Sequence, residues 1–76
     1  MRVLLVEDNP DLVSLLNKGL GQAGFAADSV GTVSDARHVL ATMKYAAIVL
    51  DLGLPDEDGL SLLRELRRRE IGRAHV

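Results

Sequence analysis

The chain has 76 residues, a formal net charge of −2 and no cysteine. This length limits it to one small domain or a piece of one, and the lack of cysteine excludes disulfides and zinc–thiolate sites. The mild negative charge argues against a nucleic-acid-binding surface. No apolar run is long enough to span a bilayer, and Glu7 and Asp8 end the first apolar run too early for an export signal. We therefore expect a cytoplasmic protein whose residues contact neither membrane nor nucleic acid directly.

Hydrophobic patterning predicts strands that alternate with helices. The first and third strands are continuous apolar runs, and 25–30 is a weaker strand candidate. The helices repeat apolar residues at three- and four-residue spacing, as at Leu12, Leu15 and Leu16. Asn9 is a suitable N-cap, and Pro10 is a suitable first helical residue. Such alternation favours a parallel sheet with helices on both faces. The predicted strands are 3–6, 25–30 and 46–50, and the predicted helices are 10–20, 32–44 and 59–69.

Three acidic residues follow the first and third predicted strands. Glu7 and Asp8 come directly after the first strand, and Asp51 comes directly after the third. Ligands of parallel α/β sheets bind beyond the carboxyl ends of the strands, so neighbouring strands would bring three carboxylates to one edge. Like charges ~4 Å apart repel by about 1 kcal/mol in water, which a raised pKa, a lysine or a divalent cation would offset. Oxygen ligands without His or Cys select Mg²⁺, Mn²⁺ or Ca²⁺. A site with only two or three carboxylate ligands, whose other positions are left to water and a phosphoryl group, suits Mg²⁺ best.

Two motifs carry a family resemblance. They read Val-Leu-Leu-Val-Glu-Asp-Asn at 3–9 and Val-Leu-Asp-Leu-Gly-Leu-Pro-Asp-Glu-Asp-Gly at 49–59. Together with the spacing between Asp8 and Asp51, they resemble the receiver domain of bacterial two-component response regulators. The wording of the second motif is most similar to the OmpR-type class, whose members carry a winged-helix DNA-binding domain. The resemblance covers residues 1–69.

The resemblance implies a parallel, flavodoxin-like α/β fold, truncated to three strands and three helices with strand order 2-1-3. It implies that Asp51 is the phosphoacceptor and takes a phosphoryl group from the phosphohistidine of a sensor histidine kinase. Glu7, Asp8, Asp51 and the backbone carbonyl of Gly53 would hold Mg²⁺. The chain would then be a signalling module rather than an enzyme. It would control transcription only through an absent C-terminal output domain.

Two other functions stay open at this point. A Mg²⁺-dependent phosphohydrolase of the haloacid-dehalogenase type also uses an Asp after a strand as its nucleophile. That class has an Asp-x-Asp motif, and Asp51-Leu52-Gly53 lacks the second Asp. An interaction module that keeps only the fold needs no acidic cluster, so the intact set of three acids counts against it.

The remaining polar residues have plainer interpretations. Asp56 and Glu57 are interpreted as parts of a solvent-exposed loop, and Asp58 as the cap of the third helix. Residues 70–76, Glu-Ile-Gly-Arg-Ala-His-Val, fit no receiver pattern. They resemble the translation of a sequencing-adapter DNA, since GAG ATC GGA AGA GCA CAC GTC encodes them. Our hypothesis is therefore a partial receiver domain at 1–69 followed by a non-native tail at 70–76.

Overall fold

The three predicted strands form one parallel sheet in the computed structural model, which describes residues 1–70. The sheet order is β2-β1-β3, which confirms the predicted parallel α/β fold with order 2-1-3. Beyond Glu70, the predicted tail lies outside the described residues. The strands are β1 (Arg2–Val6), β2 (Ala26–Val30) and β3 (Ala47–Leu50), and the helices are α1 (Pro10–Gln22), α2 (Val33–Thr42) and α3 (Gly59–Glu70).

The strand register places the predicted acidic residues at one edge of the sheet. Central strand β1 pairs Val6 with Val30 of β2 and with Leu50 of β3, so the three strands end at the same level. One further hydrogen bond continues each ladder, because the amide of Glu7 donates to Val30 and the amide of Asp51 donates to Val6. The residues that follow β1 and β3 therefore emerge side by side.

Both faces of β1 are buried. Successive side chains of a strand point to opposite faces, so Leu4 and Val6 share one face while Val3 and Leu5 share the other. Helix α1 connects β1 to β2, and α2 connects β2 to β3 on the other side of β1. Because both connections are right-handed, α1 lies on one face of the sheet and α2 on the other. The core on the α2 and α3 side consists of Leu4, Val6, Val33, Ala36, Leu54 and Leu62.

Helix α1 begins as the sequence predicts, but its apolar stripe is only partly covered. The side chain of Asn9 accepts hydrogen bonds from the first turn, and Pro10 occupies the first helical position. Leu15 is 66% exposed and Leu12 is 39% exposed, and α1 has no fully buried residue. Within residues 1–70, neither this helix nor the other two combine the length and apolar character required to cross a bilayer.

Leu62 gives a direct test of the core assignment. It is 1% exposed, whereas its neighbour Leu63 on α3 is 37% exposed. Truncating a buried leucine to alanine removes apolar contacts and leaves a cavity, which costs ~2–5 kcal/mol. We expect Leu62→Ala to lower the free energy of unfolding by about that much in urea titrations. Leu63→Ala should cost clearly less, and equal losses in the two variants would contradict the assignment.

Candidate metal centre

The three predicted carboxylates form one cluster. One carboxylate oxygen from each of Glu7, Asp8 and Asp51 lies within 4.8 Å of the other two. Asp8 is exposed, and the other two residues are half-buried. The cluster forms because β1 and β3 are neighbours that end in register. The structure thus brings together the acidic residues that the sequence placed at this edge.

Short backbone contacts orient two of the three carboxylates. Oε1 of Glu7 accepts a hydrogen bond of 3.0 Å from the amide of Asn9, whose own side chain caps α1. Oδ1 of Asp51 accepts a hydrogen bond of 2.9 Å from the amide of Gly53. Each of these carboxylates therefore uses one oxygen for the backbone and keeps a second to offer to a ligand. Gly53 lies beside the cluster, and its role as a carbonyl ligand stays a prediction.

Among the residues that the structure describes, no basic side chain forms a salt bridge with this cluster. The salt bridges among residues 1–70 join Arg2 to Asp28, Arg37 to Glu57 and Glu65, and Arg69 to Glu65, and none of them includes a member of the cluster. Adjacent carboxylates repel one another unless a positive charge lies between them. A set of hard oxygen donors without nitrogen or sulfur fits Mg²⁺ in its ligand type.

Helix α3 begins in close contact with the backbone that follows β3. Gly59 is buried, and a Cβ atom built on it would lie 2.9 Å from the carbonyl oxygen of Asp51 and 3.1 Å from Cα of Leu52. Real Cβ atoms essentially never approach backbone atoms to less than 3.0 Å. Only glycine fits here without a shift of either the start of α3 or the segment that carries Asp51.

Asp56 and Glu57 lie in a loop as predicted, with Asp56 exposed and Glu57 half-buried, but their contacts with α2 were not predicted. The carboxylate of Asp56 accepts hydrogen bonds from two backbone amides of α2, and Glu57 forms a two-point ion pair with Arg37. Asp58 does cap α3, since its Oδ1 accepts a 3.0 Å hydrogen bond from the amide of Leu60. The partners of Asp56 and Glu57 lie on α2, and those of Asp56 are more than 20 positions away in the sequence. No local sequence pattern could therefore have revealed these contacts.

These contacts change the ionisation of the loop carboxylates. The Arg37 guanidinium, with a further hydrogen bond from Ser61, lowers the pKa of Glu57 to about 2. The amides of Val33 and Ser34 lower the pKa of Asp56. The pKa of Arg37 is raised by the hydrogen bonds that it donates to its carboxylate partners. All three groups stay charged at neutral pH.

The lowered pKa of Glu57 predicts a specific acid sensitivity. A carboxylate whose pKa is lower in the folded state stabilises the fold above its unfolded value and loses this contribution as the pH falls through the folded value. For Glu57 the window runs from pH 4.5 down to about 2. Urea titrations across this window should show a steeper loss of stability for the unmodified chain than for Glu57→Gln. Parallel curves would contradict the ion pair.

A family model described as the response regulator receiver domain matches residues 3–76. The chain belongs to the response regulator receiver domain family, as its two motifs predicted. Among curated relatives, the transcriptional regulatory protein TctD of Salmonella typhimurium is 46% identical over 69 residues, which are 91% of this chain and 31% of that protein. The chain therefore spans about a third of the length of such relatives.

Solved structures give the same assignment. A CheY-like response regulator receiver domain from Methylobacillus flagellatus is 39% identical with a TM-score of 0.83, over 88% of this chain and 57% of that one. The response regulator protein TrrA, solved in complex with the histidine kinase ThkA, has a TM-score of 0.83 at 28% identity. That match covers 88% of this chain and 58% of the other.

Proposed function

We propose that the chain is the phosphoacceptor module of a two-component signalling system, in which a sensor histidine kinase transfers a phosphoryl group to Asp51. The observation that carries the proposal is the position of Asp51 in a cluster of three carboxylates at the carboxyl end of a parallel sheet. The solved complex of a related response regulator with a histidine kinase supports this class of partner.

The proposed reaction transfers a phosphoryl group from a histidine nitrogen to a carboxylate oxygen. A carboxylate oxygen of Asp51 attacks the phosphorus of a phosphohistidine, the O–P bond forms as the N–P bond breaks, and the leaving histidine nitrogen takes a proton from solvent. Glu7 and Asp8, with Asp51 and the carbonyl of Gly53, would hold Mg²⁺. When bound, the ion reduces the repulsion between the carboxylate and the anionic phosphoryl group. Hydrogen bonding from the amide of Gly53 fixes the orientation of Asp51.

In this proposal the chain is the acceptor of the phosphoryl group and not an enzyme. The haloacid-dehalogenase alternative is disfavoured because Gly53 stands where that class has its second Asp. The proposal includes the cytoplasmic location expected from the sequence. It also includes control of transcription through a DNA-binding output domain, as the transcriptional regulators among the relatives suggest.

Phosphorylation by a small-molecule donor tests this function. The chain is incubated with acetyl phosphate with and without Mg²⁺, and intact mass and peptide mapping locate the product. We expect one phosphoryl group on Asp51, dependent on Mg²⁺ and absent from Asp51→Asn. The matched control is Asp35→Asn, which replaces an exposed aspartate outside the cluster. This variant should be phosphorylated on Asp51 to the same extent as the unmodified chain.

The other outcomes of this assay identify the other functions. Continuous release of phosphate with many turnovers would contradict the proposal and support a phosphohydrolase. Absence of any modification in a folded sample would contradict it in favour of an interaction module.

A further inference from the structure

The loop at residues 52–58 connects the site to α3, and it is fixed at several points. Leu54 is 8% exposed and belongs to the core. Gly53, on the site side of Leu54, donates its amide hydrogen to Asp51. The next contacts along the loop are made by Asp56 and Glu57, and both reach α2. Gly53 therefore lies between its contact with Asp51 and a loop that is held by the core and by α2.

Asp56 binds the first turn of α2. Its Oδ1 accepts a hydrogen bond of 3.0 Å from the amide of Val33, and its Oδ2 accepts one of 3.0 Å from the amide of Ser34. The first amides of a helix have no partner within the helix, and the helix dipole favours a negative charge there. The side-chain hydroxyl of Thr32 accepts a hydrogen bond from the amide of Asp35 in the same turn. Asp56 thus completes the cap of a helix to which it does not belong.

Arg37 connects the same loop to both neighbouring helices. Its two terminal nitrogens donate to the carboxylate of Glu57 at 2.6 and 2.7 Å, and its Nε donates to Glu65 of α3 at 2.8 Å. Ser61 donates a further 2.7 Å hydrogen bond to Glu57. Two-point pairing between Arg and a carboxylate fixes direction as well as distance. The loop is consequently held against α2 and α3 in one orientation.

We propose that Asp56 and the Arg37–Glu57 pair are positioning residues for the metal centre, which hold the 52–58 loop so that Gly53 meets Asp51 in the arrangement that binds Mg²⁺. This inference rests on the proposed function, because it requires that Mg²⁺ binds at the carboxylate cluster. Residues that orient metal ligands from outside the coordination sphere affect metal affinity even though they do not touch the ion. Helix α2, which supplies no ligand, thereby contributes to the affinity of the site.

The test is a calorimetric titration of the chain with MgCl₂, at a temperature where circular dichroism shows every variant to be folded. We expect Asp56→Ala to weaken Mg²⁺ binding by about tenfold, the lower end of the range for such positioning partners. Asp56→Asn keeps one acceptor oxygen and should bind with intermediate affinity. The matched control is Asp28→Ala, which removes a carboxylate bound to Arg2 and Tyr45 near the amino ends of the strands. It should leave the Mg²⁺ affinity unchanged.

A structural role alone would lower the melting temperature of Asp56→Ala but leave its Mg²⁺ affinity equal to that of the unmodified chain, and this result would overturn the inference. If Asp56→Ala does not fold, Glu57→Gln gives the same test, because it weakens the pair with Arg37 and keeps the side-chain shape. We expect severalfold weaker binding for that variant, and unchanged affinity would overturn the inference. Absence of Mg²⁺ binding by the unmodified chain would instead contradict the proposed function itself.

Discussion

Gly59→Ala should both destabilise the protein and slow phosphorylation of Asp51. The new Cβ would lie 2.9 Å from the carbonyl oxygen of Asp51, and the other close atoms include Cα of Leu52. Backbone atoms cannot rotate out of the way as a side chain can, so either the start of α3 or the segment carrying Asp51 must shift. Overpacking of this kind typically costs ~1–3 kcal/mol. Urea denaturation measures the stability, and the rate of labelling by acetyl phosphate measures the effect on the site.

Gly19→Ala is the matched control for this prediction. Gly19 lies within α1, is exposed, and has no atom within 4 Å of an added Cβ. Alanine in a helix interior is more stable than glycine by up to ~1 kcal/mol, so this variant should be more stable and should be labelled normally. A Gly59→Ala protein that matched the unmodified chain in stability and labelling rate would contradict the close packing of α3 on Asp51.

The acidic cluster predicts opposite effects of Asp8→Asn on stability and on metal binding. Without Mg²⁺, the substitution removes one of three neighbouring negative charges, so it should raise the melting temperature. With Mg²⁺, the unmodified chain should gain stability as the ion occupies the site, because a ligand that binds only the folded state stabilises it. Asp8→Asn should lose most of this gain. Melting curves in EDTA and in millimolar MgCl₂ measure both effects.

Asp35→Asn controls for the general effect of removing a negative charge. Asp35 is exposed and lies on α2, outside the cluster, so its substitution should leave the Mg²⁺-dependent gain in melting temperature unchanged. The account of the site would be wrong if Asp8→Asn were less stable in EDTA and yet retained the full gain with Mg²⁺.

Local patterns in the sequence were sufficient to predict the elements of the fold. The apolar run at 3–6 became the central strand, and Asn9 with Pro10 marked the start of α1. The end of α2 was predicted at residue 44, whereas the helix ends at Thr42. Met43 and Lys44 still fit the helical spacing of apolar and polar residues. The pattern alone therefore does not show where the backbone leaves the helix and turns toward β3.

The acidic cluster was predictable because it depends on topology. Once Glu7, Asp8 and Asp51 were placed after parallel strands, strand order alone determined that they would meet. The support of the site was not predictable in this way. Arg37 lies on α2, and Glu57 lies in a loop 20 positions further along the chain. From the sequence alone, a charged loop residue is predicted to face solvent, because the packing of the neighbouring helix is not known. The exposed part of the α1 stripe, with Leu15 in it, also required the structure.

The central claim is that one ion binds between Glu7, Asp8 and Asp51, and a paramagnetic ion tests it most directly. Mn²⁺ has the same preference for oxygen ligands as Mg²⁺, and it broadens the NMR signals of nearby nuclei. At a small fraction of one equivalent, we predict that the amide signals of Asp8, Asp51 and Gly53 broaden first, and that excess Mg²⁺ restores them. Equal broadening around acidic residues elsewhere, such as Asp28, with no selectivity for the cluster, would contradict the account.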